Sequence, residues 1–104
     1  MSDIALVRTV FADAGGAGRI GRAMVEAQRA ACVDRPGPCR SIDRWRGAIE
    51  PASEYRAPFK TTRRRARELA DRIAALHGHD PSMIEISPAA AGDAVLARVS
   101  ETTR

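Results

Sequence analysis

Apolar side chains fall in short blocks along the chain, and two different spacings sort those blocks into strands and helices. Ile4 to Phe11 (IALVRTVF) is a compact apolar run rich in β-formers and predicts a buried strand. After ADAGGAGRIG the spacing changes. Ile20, Met24 and Ala27 or Ala31 fall at i, i+4, i+7 and i+11, which predicts a helix capped near its start by Asp13. Ala31 to Trp45 reads as extended chain broken by Pro36-Gly37-Pro38, with Ile42 as its clearest inward position. Arg46-Gly47 marks a tight turn, and Ile49 to Lys60 is extended again, so the two segments form a long hairpin. Thr61 and Thr62 are cap candidates for a second helix whose apolar face is Ala66, Leu69, Ile73 and Leu76, with Gly78 placed for a left-handed C-terminal cap. Met83 to Ser87 alternates as a strand ended by Pro88, and Asp93 to Val99 predicts a short last helix.

The order β-α-β-β-α-β with a terminal helix predicts an α+β fold, the ferredoxin-like sandwich with a long hairpin between its second and third strands. Right-handed crossovers put both main helices on one face of the sheet. The other face then needs a cover. Pro58 falls inside the third strand, central in this topology, so a bulge or early strand end is expected near Ala57-Pro58.

Composition sharpens that need. The 104 residues fit a single domain spanning 1–104. Of the 44% apolar residues, 20 are alanine and only Phe11, Trp45, Tyr55 and Phe59 are aromatic, so an isolated chain would have a thin core and association with further copies is expected. No apolar run approaches the ~18 residues of a membrane span, and the first residues show no basic region followed by an apolar one. Two cysteines make a poor disulfide framework, which points to the reducing cytoplasm. The net charge of +4 is uneven: from Asp34 to Arg67 ten basic residues face four acidic ones. No aromatic residues are interleaved there to stack bases, so nucleic acid is not the expected partner.

Four features bear on chemistry. Gly16-Ala17-Gly18-Arg19-Ile20-Gly21 is a literal G-x-G-x-x-G, but it begins too far beyond Phe11 for the tight strand-to-helix turn of a dinucleotide fold, and a loosened loop and frayed helix start explains it better. Cys32 and Cys39 lack zinc-site spacing, and on an unbroken strand an odd separation would set them on opposite faces. His77-Gly78-His79-Asp80 offers two imidazoles and a carboxylate, although histidines also suit a helix C-terminus. Arg63, Arg64, Arg65 and Arg67 crowd the start of the second helix, where positive charge opposes the macrodipole; a solvated face or an anion site accounts for them. No Ser-His-Asp set, P-loop or paired catalytic carboxylates are present, so no catalytic turnover is expected.

The stretch 29–62 resembles the CutA divalent-cation-tolerance family. The shared residues are Ala30-Ala31-Cys32-Val33, Pro36-Gly37, Ser41-Ile42, Trp45, Gly47, Ile49, Glu54 and Lys60-Thr61, and His77 falls where the family has the His of an HPY-x-x-PE segment. This chain departs from the family pattern at Asp43, Val95 and Arg98, where aromatic residues are usual, and in the HPY-x-x-PE segment itself, whose glutamate position holds Met83. The resemblance implies a cytosolic ferredoxin-like trimer with hairpins wrapping neighbours and a role tied to divalent metals, chiefly copper. It implies Cys32 and His77 as metal ligands, with Met83, or Glu85 two residues on, as the third; thiolate, imidazole and thioether would suit Cu(I). The alternative is a trimeric regulatory module, similar to PII-like signalling proteins, that takes an anionic small molecule between subunits through Arg63, Arg64, Arg65 and Arg67.

Overall fold

The computed structural model describes residues 4–34, 37–77 and 84–103. The elements run β1 (Ile4–Phe11), α1 (Ala14–Glu26), β2 (Cys32–Val33), β3 (Gly37–Trp45), β4 (Ala48–Thr62), a 3-10 turn (Arg63–Arg65), α2 (Ala66–His77), β5 (Glu85–Ala89) and α3 (Asp93–Thr102). The sheet has the order β2-β4-β1-β5, with β3 continuing beside β4. Every pairing is antiparallel. Counting β2 and β3 as one broken limb, this is the ferredoxin-like arrangement expected from the sequence.

The core lies between the sheet and helices α1 and α2. Period-two alternation puts Ala5, Val7 and Phe11 of β1 on that face, level with Thr61, Phe59 and Tyr55 of β4. Val7 and Phe59 are 0% exposed. The helices meet them with Ala17, Gly21 and Met24 from α1 and with Ala66, Leu69, Ala70 and Ile73 from α2. The α1 face is thus rotated from the one expected: Ile20 packs only partly against the core, and the helix ends before Ala27. Leu76 is likewise exposed. Ile4 and Val99 are buried outside this main core, where α3 packs against β4.

Local chemistry sets the boundaries. The Asp13 carboxylate accepts a hydrogen bond from the Gly16 N–H at 2.6 Å, so the glycine-rich stretch lies inside α1 and not in a loop before it. Arg46 and Gly47 both have positive φ, 50° and 83°, as a two-residue hairpin turn between Trp45 and Ala48 requires. Thr62 caps the 3-10 turn by accepting from the Arg65 N–H at 3.3 Å. The strand expected at Met83 to Ser87 is shifted, since β5 runs through Pro88, which an edge strand tolerates. Gly78 and its expected cap lie outside the described residues.

Pro58 produces no bulge against β1 and does not end its strand. The β1–β4 register runs without a slip from Ile4↔Thr62 to Phe11↔Tyr55. The irregularity sits on the facing limb. Val33 pairs with Phe59 but Gly37 pairs with Arg56, so four steps of that limb span three of β4. The Pro58 carbonyl accepts from the Asp34 N–H on this side, at 3.3 Å. A residue's N and C=O point the same way across an antiparallel ladder, so the donor that proline lacks falls where the ladder is already broken.

Two stability predictions follow from this packing. Phe59→Ala, at a fully buried position, lowers unfolding free energy by about 3–5 kcal/mol in urea denaturation. At Gly21 an added Cβ would lie 2.9 Å from Val33 Cγ1. Gly21→Ala therefore destabilises by about 1–2 kcal/mol despite alanine's better helix propensity, and in a Val33→Ala background the penalty disappears. A penalty that persists in the double variant would show that the clash is not its source.

Candidate functional site

The residues singled out by sequence fall in three places. His77 is the last residue of α2, half-buried, with its ring stacked on Phe11 at a centroid distance of 5.1 Å. Its Nε2 lies 2.8 Å from the Val10 carbonyl oxygen. A carbonyl only accepts, so Nε2 carries the proton and Nδ1 of the neutral ring holds the lone pair. That Nδ1 is buried and has no hydrogen-bond partner among the described residues. His77 lines a cavity of about 320 Å³ together with Phe11, Asp13, Gly16, Arg19, Ile20 and Leu76. A neutral imidazole nitrogen with its other N–H fixed by a carbonyl is the form in which histidine binds metals.

Cys32, Cys39 and Glu85 lie on the opposite face of the sheet. Cys32 pairs with Lys60 and Cys39 with Glu54, which share a face of β4, so the register step has turned both thiols to the same side. Both are half-buried and unpaired. Glu85 pairs with Arg8 on this face, and Arg8 Nη1 donates to Ser87 Oγ at 3.2 Å. Cys39 beside the Arg56 guanidinium favours its charged form, with help from the carboxylates of Glu54 and Glu85. This cluster of charges was not evident in the sequence; the alternation of β1, β4 and β5 would have revealed it once the register was fixed.

One chain does not bring the expected metal ligands together. Cys32 is level with Lys60 and Leu6, whereas His77 bonds Val10, four residues further along β1. At the strand rise this is about 13 Å, against metal–ligand bonds of about 2.0–2.3 Å. Among the described residues no three His, Cys, Asp or Glu side chains are grouped to hold an ion. Met83, His79 and Asp80 lie outside the described residues.

The arginine run divides. Arg65 Nη1 reaches the Glu68 carboxylate at 3.3 and 3.4 Å, and Arg29 pairs with the same carboxylate, tying the end of α1 to the start of α2. Arg63 and Arg64 instead line a separate cavity. Arg67 is exposed on α2 and lines neither. No helix is long and apolar enough to cross a membrane, among the residues described.

Comparison with known proteins places this architecture. Residues 5–101 match the family model described as CutA1 divalent ion tolerance protein. The divalent-cation tolerance protein CutA of Thermus thermophilus is 35% identical over 74 residues, which cover 71% of this chain and 72% of that one. The solved structure of CutA from Xylella fastidiosa superposes with a TM-score of 0.92 at 27% identity, covering 99% of this chain and all of the other. The periplasmic divalent cation tolerance protein CutA of Archaeoglobus fulgidus gives 0.90 at 27% identity, over 97% and 99% of the two chains. With the match running through β1, the hairpin, both main helices and most of α3, the chain belongs to the CutA1 divalent ion tolerance family.

Proposed function

We propose that the chain acts as a non-catalytic cytoplasmic trimer that binds a divalent metal ion, copper above all, with His77 as the anchoring ligand. The observation that carries this reading is the Nδ1 of His77, a buried lone pair with no partner among the described residues, on a side chain that lines a cavity. Cys32 and Glu85 cannot reach the same ion from the same chain, so in this reading Cys32 joins the coordination from an adjacent copy, with Met83 or Glu85 as the third ligand. Thiolate and imidazole donors together favour soft or borderline ions over hard ones.

Assembly is supported by surfaces that one chain leaves open. The hairpin extends past the helices, giving extents of 45 × 26 × 21 Å, and carries Ile42 and Ile49 at 79% and 63% exposure on one face. The sheet face opposite the helices presents Leu6, Val10 and Pro58 among the charges of Arg8, Glu54, Arg56 and Glu85. A face with mixed apolar and paired polar groups suits contact with another copy. The unpaired cysteines accord with a reducing compartment.

Native mass spectrometry of the reduced protein, before and after Cu(I), Cu(II) and Zn(II), tests both parts. A trimer gaining one ion per chain is the expected result, and a monomer overturns the assembly. His77→Gln keeps the volume and polarity of the side chain but removes the imidazole, and lowers copper affinity by more than about tenfold. Cys32→Ser weakens Cu(I) more than Zn(II), since loss of a soft donor penalises the softer ion more. Unchanged affinity in either variant removes that residue from the site. Because protons compete for the imidazole and thiolate, the bound ion is released as the solution is acidified.

A further inference from the structure

Arg63 and Arg64 form a second candidate site, independent of metal. A cavity of about 270 Å³ opens between the start of the α2 segment and the end of α3, lined by Thr62, Arg63, Arg64, Ser100 and Thr103. Among the described residues no carboxylate lines it. Two arginines and three hydroxyl-bearing residues line it, from two elements far apart in sequence.

We infer that this cavity binds a phosphate group, carried by a small organic molecule. The hydroxyls are placed for it. Thr62 Oγ1 accepts the Arg65 N–H and so keeps its own proton to donate. Ser100 adds a second hydroxyl from α3. The end of α3, whose carbonyls would repel an anion, is partly neutralised: Thr102 Oγ1 donates to the Arg98 carbonyl at 2.8 Å and Thr103 Oγ1 to the Val99 carbonyl at 2.6 Å. Among the described residues Arg64 has no ion-pair partner, in contrast to Arg65, which is committed to Glu68. Guanidinium groups pair with phosphate through parallel charge-assisted hydrogen bonds, so Arg64 is the principal contact, Arg63 adds positive charge beside it, and the hydroxyls of Thr62 and Ser100 set the orientation. At about 270 Å³ the cavity has room for more than a bare phosphate.

The test is a titration of the full-length ¹⁵N-labelled protein with inorganic phosphate and, separately, with AMP, read by amide chemical shifts. Saturable shifts confined to Thr62, Arg63, Arg64, Ser100 and Thr103 are expected, with AMP binding more tightly than inorganic phosphate. Arg64→Ala weakens AMP binding by about tenfold or more, the loss of a charge-assisted hydrogen bond, while Arg67→Ala leaves it unchanged. Equal affinity for the two ligands would overturn the organic carrier. Shifts that fail to saturate, that spread over all the exposed arginines, or that weaken equally in Arg67→Ala would overturn the site. The outcome does not depend on metal binding, because both titrations are run with a chelator present.

Discussion

The fold depends on one strand holding three partners in register. β4 has 15 residues, pairs with β1 along one side, and takes β2 and then β3 along the other. On the helix side its Ala57, Phe59 and Thr61 are buried; beyond the helices the same strand becomes one limb of the hairpin. A proline in such a strand should cost a ladder hydrogen bond. Here the missing donor faces the step between β2 and β3, so the irregularity of one limb accommodates that of the other. The core remains small, and burial by Phe59, Val7, Leu69 and Ile73 must do most of the stabilising that aromatic-rich domains spread over many residues.

Much of this was legible in the residues. IALVRTVF, the Arg46-Gly47 turn, Asp13 and Thr62 each state a local preference that the tertiary structure keeps, and their order gives the topology. What could not be read were features set by pairing across the sheet. Which face of α1 is buried depends on the close approach of Gly21 to Val33, which periodicity alone does not show, since glycine contributes nothing to an apolar stripe. The β5 boundary failed for a similar reason: proline is a breaker in the interior of a sheet but not at its edge. The location of the irregularity near Pro58 required knowing which way its nitrogen points.

The candidate site was legible in part. His77 stood out beside other ligating residues, but its tautomer rests on the Val10 carbonyl, which comes from an element 67 residues away. The four arginines read as one block because they are adjacent in sequence. Folding separates them: Glu68, one turn on, takes Arg65 and Arg29 into an ion-pair group, and Arg63 and Arg64 turn toward α3. Charge runs are thus poor guides to a common role where a helix begins inside them, because successive side chains point about 100–120° apart.

The register step between β2 and β3 also governs the sulfur chemistry. It places Cys32 and Cys39 on one face, level with Lys60 and Glu54, six residues apart on β4. That separation is about 20 Å at the strand rise, roughly three times the reach of a disulfide. Oxidation therefore has no intrachain disulfide to form while the sheet is intact. Any disulfide that the native protein forms must join separate chains, so disulfide formation by these thiols would report on the contacts between molecules and not on the fold of one.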